Sequence, residues 1–128
     1  MNTLKKIAIA LFMLIAFACM GVILIESQTN IFRRLYDDVI LDNKGHYLSC
    51  DELPTEAEVL AILDHHQDTI HVIENIDPGL VGVEVDSSTC PGRADLVIWY
   101  ASHKNRLEIE KIIGNDTFFG LPYRLQNR

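Results

Sequence analysis

Nineteen consecutive residues, Ile7 to Ile25 (IAIALFMLIAFACMGVILI), carry no charge and no strongly hydrogen-bonding side chain. As a helix rising about 1.5 Å per residue, the run reaches roughly 28 Å, close to the hydrocarbon thickness of a bilayer. The chain of 128 residues therefore divides. Residues 1–26 read as an N-terminal signal-anchor or transmembrane segment. Residues 27–128 read as one soluble domain, enough for a single core and too few for two.

Charge sharpens the division. The chain carries −7 and its first 26 residues hold only Lys5, Lys6 and Glu26, which sum to +1. The domain thus carries −8. That balance disfavours nucleic acid and anionic headgroups and suits an acidic solvated surface.

The leader MNTLKK before an apolar run fits an anchor or a cleavable signal peptide, and Ala16-Phe17-Ala18-Cys19 loosely resembles a lipoprotein box. An uncleaved anchor is favoured because the residues after Cys19 (MGVILI) stay apolar, where a processed terminus normally turns polar. Lys5 and Lys6 on one side are matched by Arg33 and Arg34 on the other, so the positive-inside rule gives no firm orientation. The cysteines decide it. Cys19 lies in the apolar run, leaving Cys50 and Cys90 as a pair that an exported domain would oxidise to a disulfide. The expectation is a single-pass membrane protein, in contact with the bilayer through residues 7–25, with its C-terminal domain outside the cytoplasm.

Ile31-Phe32, Leu35-Tyr36 and Val39-Ile40 recur at helical spacing and predict an amphipathic helix from about Asn30 to Leu41, stopped by Gly45. Its apolar stripe would dock on the sheet, pair with a partner helix or lie on the bilayer. Thr55-Glu56-Ala57-Glu58 is a capping box. The stripe Val59, Ile62, Leu63, His66, Ile70, Ile73 then predicts one helix to about Asn75, stopped by Asp77-Pro78-Gly79. The β-branched residues at 69–73 leave a strand over 69–75 as the alternative. Val81, Val83 and Val85 alternate as a half-buried strand, and Ala94 to Ala101, apolar on both faces, should be the central strand. Ser102 caps a helix with Leu107, Ile109, Ile112 and Ile113 inward and Lys104, Arg106, Glu108, Glu110 and Lys111 outward. Thr117 to Leu125 reads as one last strand, placed at a sheet edge or bulge by Pro122.

The fold class is α+β. An N-terminal transmembrane helix precedes a small two-layer domain of three strands, or four if 69–75 is extended, mostly antiparallel with helices on one face. The expected core is Val59, Leu63, Ile70, Ile73, Val83, Leu96, Ile98, Ile109, Ile112 and Leu121.

No catalytic motif stands out. Of five histidines, His65 and His66 are adjacent and point about 100° apart on a helix, so they cannot chelate together. Asp64, Asp68 and His71 align at spacings of 4 and 3 as a weak cation candidate, against the ordinary reading of a solvated helix face. No metal site and no cofactor is expected. His66, on the apolar stripe, reads as a core histidine. The loop Ser87 to Arg93 offers hydroxyls and the Cys90 thiol but no adjacent base.

An interaction surface is better supported. Phe118, Phe119 and Tyr123 put three aromatics near the C-terminus on a strand expected at an edge, although the alternation favours Phe119 and Tyr123 facing the core with only Phe118 outside. The composite expectation is a non-enzymatic, membrane-tethered module binding a protein partner, as an inhibitor, immunity factor or envelope-complex subunit would. The alternative is a small envelope enzyme or metal-dependent domain using its His and Asp residues or the Cys90 loop.

Overall fold

Strand β2 (Asp95–Tyr100) is the spine of the domain, and its side chains from Leu96 to Ile98 are almost wholly buried. The computed structural model describes residues 2–128, which fall into two compact units divided between Leu35 and Tyr36.

In the first unit, helix α1 (Thr3–Thr29) is long and apolar enough to cross a membrane. It ends at Asn30, whose left-handed backbone (φ 51°) breaks the helix. Helix α2 (Ile31–Val39) starts at once, because the Glu26 carboxylate accepts the backbone amides of Phe32 (2.8 Å) and Arg33 (3.0 Å). An anion at a helix N-terminus satisfies groups that have no partner inside the helix.

The second unit holds a four-stranded mixed sheet in the order β1-β2-β4-β3, with β1 at Val81–Asp86, β3 at Thr117–Phe118 and β4 at Leu121–Asn127. Four strands replace the three of the simplest sequence reading, and the α+β class stands. The β1–β2 and β3–β4 pairings are antiparallel, whereas β2 and β4 run parallel, Leu96 opposite Tyr123 and Ile98 opposite Leu125. A parallel pair needs a long crossover, supplied here by helix α5 (His103–Ile113). α5 opens on Ser102, whose Oγ accepts the Asn105 amide, and closes on Gly114 at φ 68°.

Helices α3 (Glu56–His65) and α4 (Gln67–Glu74) take the place of the single helix expected to Asn75, and residues 69–74 are helical rather than extended. The capping box forms as read: Thr55 N–H and Oγ1 both donate to Glu58, and Thr55 Oγ1 accepts the Glu58 amide. The interruption at His66 has a local cause. The His65 ring donates to the Ala61 carbonyl (2.8 Å) and the Gln67 side-chain amide to the Leu63 carbonyl (3.1 Å), which satisfies the last turn of α3 from within. Val59, Leu63, Ile70 and Ile73 nonetheless enter one core with Leu96, Ile98, Tyr100, Ile109, Leu121 and Leu125. Val83 and Ile112 lie at its margin, only partly buried.

Two corrections concern orientation. On α5, Ile109, Ile112 and Ile113 face the core as expected, but Arg106 joins them in burial and Leu107, on the opposite side of the helix, is exposed. Asn105 holds this setting through a 3.1 Å bond from its side-chain amide to Asp77. The final strand is a hairpin, and β4 is interior rather than an edge. Pro122 is tolerated because the pairing with β2 begins one residue later, at Tyr123, so its missing donor breaks no bond to β2. β1 is the long free edge. Within it, Gly82 lets the Trp99 indole lie against the backbone, since a Cβ there would come within 2.3 Å of the ring.

Residues 44–55 form a strap. Lys44 pairs with Leu125 at the β4 side, and Thr55 with Arg93 ahead of β2. Cys50 and Cys90, forty residues apart, are joined in a disulfide that ties the strap to the β1–β2 connection.

Candidate interaction surface

The hairpin between β3 and β4 turns on Phe119 and Gly120, with φ of 50° and 87°. Positive φ at both central residues is the requirement of a type I′ turn, whose usual first residue is Asn, Asp or Gly. The reversal places Phe118 opposite Leu121, and Phe118 is buried in the core at 1% exposure. Phe119 stands out at the tip at 53% exposure. The alternation expected along one strand has Phe119 inward and Phe118 outside. The two-residue turn inverts that assignment.

Phe119 does not stand alone. Its ring stacks on His66 at 3.5 Å between centroids, nearly parallel, and meets Phe118 edge-on at 4.9 Å. His66 is half-buried at the α3–α4 junction and serves as a platform rather than as a core residue. Tyr123 faces inward: its hydroxyl donates to the Asn115 carbonyl (3.1 Å), and burial raises its pKa. Of Phe118, Phe119 and Tyr123, only Phe119 is available to a partner, and His66 is the neighbour that spacing alone does not reveal.

Two ion clusters lie away from this tip. On the sheet face away from the main core, Arg124 forms a two-pronged contact with Asp95 (2.5 and 3.0 Å) and reaches Asp86 (2.5 Å). His46 on the strap accepts the Leu48 amide at Nδ1 and so donates through Nε2 to Asp95 (2.6 Å). Burial raises the Asp95 pKa, but the bonds from His46 and Arg124 outweigh it and leave the carboxyl below its ordinary range. Asp86, bonded by the hydroxyl and amide of Ser88 and then by Arg124, is lowered to about 2. The second cluster centres on Arg106, which binds Asp38 and, at 2.9 Å, Asp42. Asp42 also accepts His103 Nδ1 (2.7 Å) and, on its carbonyl, the Tyr100 hydroxyl. Burial opposes ionisation of its carboxyl, but His103 and Arg106 overcome that and leave it below the ordinary range.

The five histidines are thus dispersed among Asp95, the Ala61 carbonyl, Phe119, Glu74 and Asp42. Asp64 sits on α3 while Asp68 and His71 sit on α4, so the shared face that suggested a cation depended on a helix continuous through His66. Among the described residues no three His, Cys, Asp or Glu side chains gather as a metal site. Cys90 is held in the disulfide, and the Ser88 hydroxyl donates to Asp86.

Comparison of the chain with protein-family models, with curated proteins and with solved structures finds no match.

Proposed function

We propose that the chain is a non-enzymatic, membrane-anchored module whose domain lies outside the cytoplasm and binds a protein partner through Phe119, as an inhibitor, immunity factor or envelope-complex subunit would. The observation that carries this reading is the conformation of Phe119. A bulky side chain in the left-handed region costs on the order of 1 kcal/mol, and Asn or Gly would fill the position more cheaply. Stacking on His66 and Phe118 returns a similar amount, about 0.5–1.5 kcal/mol. The net effect on folding is close to zero, so the turn gains little from phenylalanine. What it gains is a rigid aromatic presented to solvent, the type of side chain that anchors protein interfaces. The apolar length of α1 supports the anchor, and the disulfide supports an oxidising compartment.

A photoreactive phenylalanine analogue placed at position 119 of the full chain in its native cells is expected to give one discrete adduct. The same analogue at exposed Leu60, on α3, is the control. Equal labelling from both positions, or none from 119, refutes the assignment.

A further inference from the structure

The apolar side of α2 is uncovered. Ile31, Phe32, Leu35, Tyr36, Val39 and Ile40 are between 52% and 65% exposed. Tyr36, Val39 and Ile40 belong to the same unit as the sheet and are still open, so docking on the sheet, one of the three sequence readings, does not occur there. At 100° per residue the six apolar side chains fill about half the helix circumference, and Arg33, Arg34, Asp37 and Asp38 fill the other half. A contiguous exposed stripe of this kind marks a binding surface.

We infer that α2 is an interfacial helix, its apolar face seated in the headgroup–acyl boundary of the bilayer that α1 crosses. The inference rests on the reading of α1 as a membrane span. Covalent continuity selects lipid as the occupant. Only Asn30 separates α1 from α2, and one residue spans less than about 4 Å, so Ile31 leaves the span at the depth where interfacial helices lie. The polar half is arranged to match. Its arginines come first, and its aspartates, further along, are taken up by the domain: Asp37 accepts the Tyr47 hydroxyl at 2.5 Å and Asp38 binds Arg106. A second copy of the chain is disfavoured as occupant, because each domain carries a large negative charge.

The test uses the full chain in phosphatidylcholine nanodiscs, with either lipid brominated near the top of the acyl chain or unbrominated lipid. Trp99 is the only native tryptophan and supplies the baseline. Leu35→Trp reports on α2 and Ile15→Trp on α1; both positions are more than half exposed, so neither change disturbs packing. The expected result is a blue-shifted emission from the Leu35→Trp variant, most of it lost in brominated lipid, with the added emission of Ile15→Trp also quenched. Water-like emission from Leu35→Trp that acrylamide quenches, with Ile15→Trp still quenched by lipid, overturns the inference and leaves the span intact. A probe at position 35 shielded from both quenchers means that protein covers the face, and also overturns it. If the probe at position 15 escapes lipid quenching, the span itself is refuted and the interfacial helix with it.

Discussion

The two arginine clusters use the same chemistry in different parts of the fold. Arg124 joins Asp86 and Asp95 on the sheet face away from the main core; Arg106, on α5, joins Asp38 and Asp42. Their surroundings differ in two respects. The Arg124 side chain is 36% exposed, that of Arg106 only 7%. The Arg124 cluster is also reinforced covalently, since His46 and Cys50 share the strap while Asp86 and Cys90 flank the β1–β2 connection. The Arg106 cluster has no crosslink, and the Arg106 Nε atom is buried without a hydrogen bond, 3.5 Å from Glu110. One guanidinium is partly solvated in a cluster that a disulfide reinforces; the other is buried in a cluster with no crosslink. Buried charges that lose a partner cost far more than exposed ones.

Cutting the staple should have the largest effect. On the chain-entropy treatment, a crosslink closing a forty-residue loop is worth about 4 kcal/mol. Cys50→Ala with Cys90→Ala should lower the urea unfolding midpoint of the full chain in mild detergent accordingly. The Arg124 cluster then loses its support. Arg106→Met should follow at about 3 kcal/mol. Asp42 then keeps only His103 and a long 3.5 Å contact from Asn127, while Asp38, 56% exposed, can return to water. Adding Asp42→Asn should recover part of that loss, since it removes the stranded charge. Arg124→Met should cost about 2 kcal/mol with the disulfide intact and more without it. Equal costs on the two backgrounds would mean that staple and cluster are independent.

Legibility from sequence follows locality. The apolar span, the capping box at Thr55, the stop at Gly114, the central strand and the Cys50–Cys90 pair all depend on residues whose chemistry is complete within a few positions or in a count of two. Features decided by tertiary contact are hidden. Arg106 reads as outward because it is charged, yet it stands three and seven residues before Ile109 and Ile113 on the same helix face, and the carboxylates that receive its guanidinium come from a distant segment. Asp95 is the available signal for the other cluster, being a charge at the head of an otherwise apolar run. A buried carboxylate requires a cation. Arg124 pairs with Val97, which shares a face of β2 with Asp95, so the register brings the two together. The hairpin is hidden because Phe-Gly is a poor turn signal next to Asn-Gly, so Thr117 to Leu125 reads as one alternating strand. That same departure from turn chemistry is what singles out Phe119.

Acid should weaken both clusters, by a smaller amount. Asp42, Asp86 and Asp95 all have folded pKa values below their ordinary range. A carboxyl depressed on folding contributes stability that is complete above its unfolded pKa, near 4, and is lost as pH falls through the folded value. For Asp86, lowered to about 2, the window is roughly pH 4 to 2 and the contribution on the order of 1–2 kcal/mol. Asp86→Asn should therefore flatten the dependence of the unfolding midpoint on pH within that window. It should leave the slope between about pH 5 and 7 unchanged.

The smallest expected effect on folding belongs to Phe119→Asn, and there the comparison between structural and interaction residues is sharpest. Asparagine tolerates the left-handed backbone that phenylalanine resists, which stabilises the turn, while the stack on His66 is lost. The two effects are similar in size, so the unfolding midpoint should move by no more than about 0.5 kcal/mol equivalent. Partner capture, measured with the photoreactive group moved to exposed Asp116, just before β3, should nonetheless fall by about tenfold or more if Phe119 is an interface anchor worth about 2 kcal/mol. A variant that keeps both its stability and its adduct would reduce Phe119 to a tolerated irregularity of the hairpin. A variant that unfolds would place the aromatic stack with Arg106, among the contacts that hold the domain together.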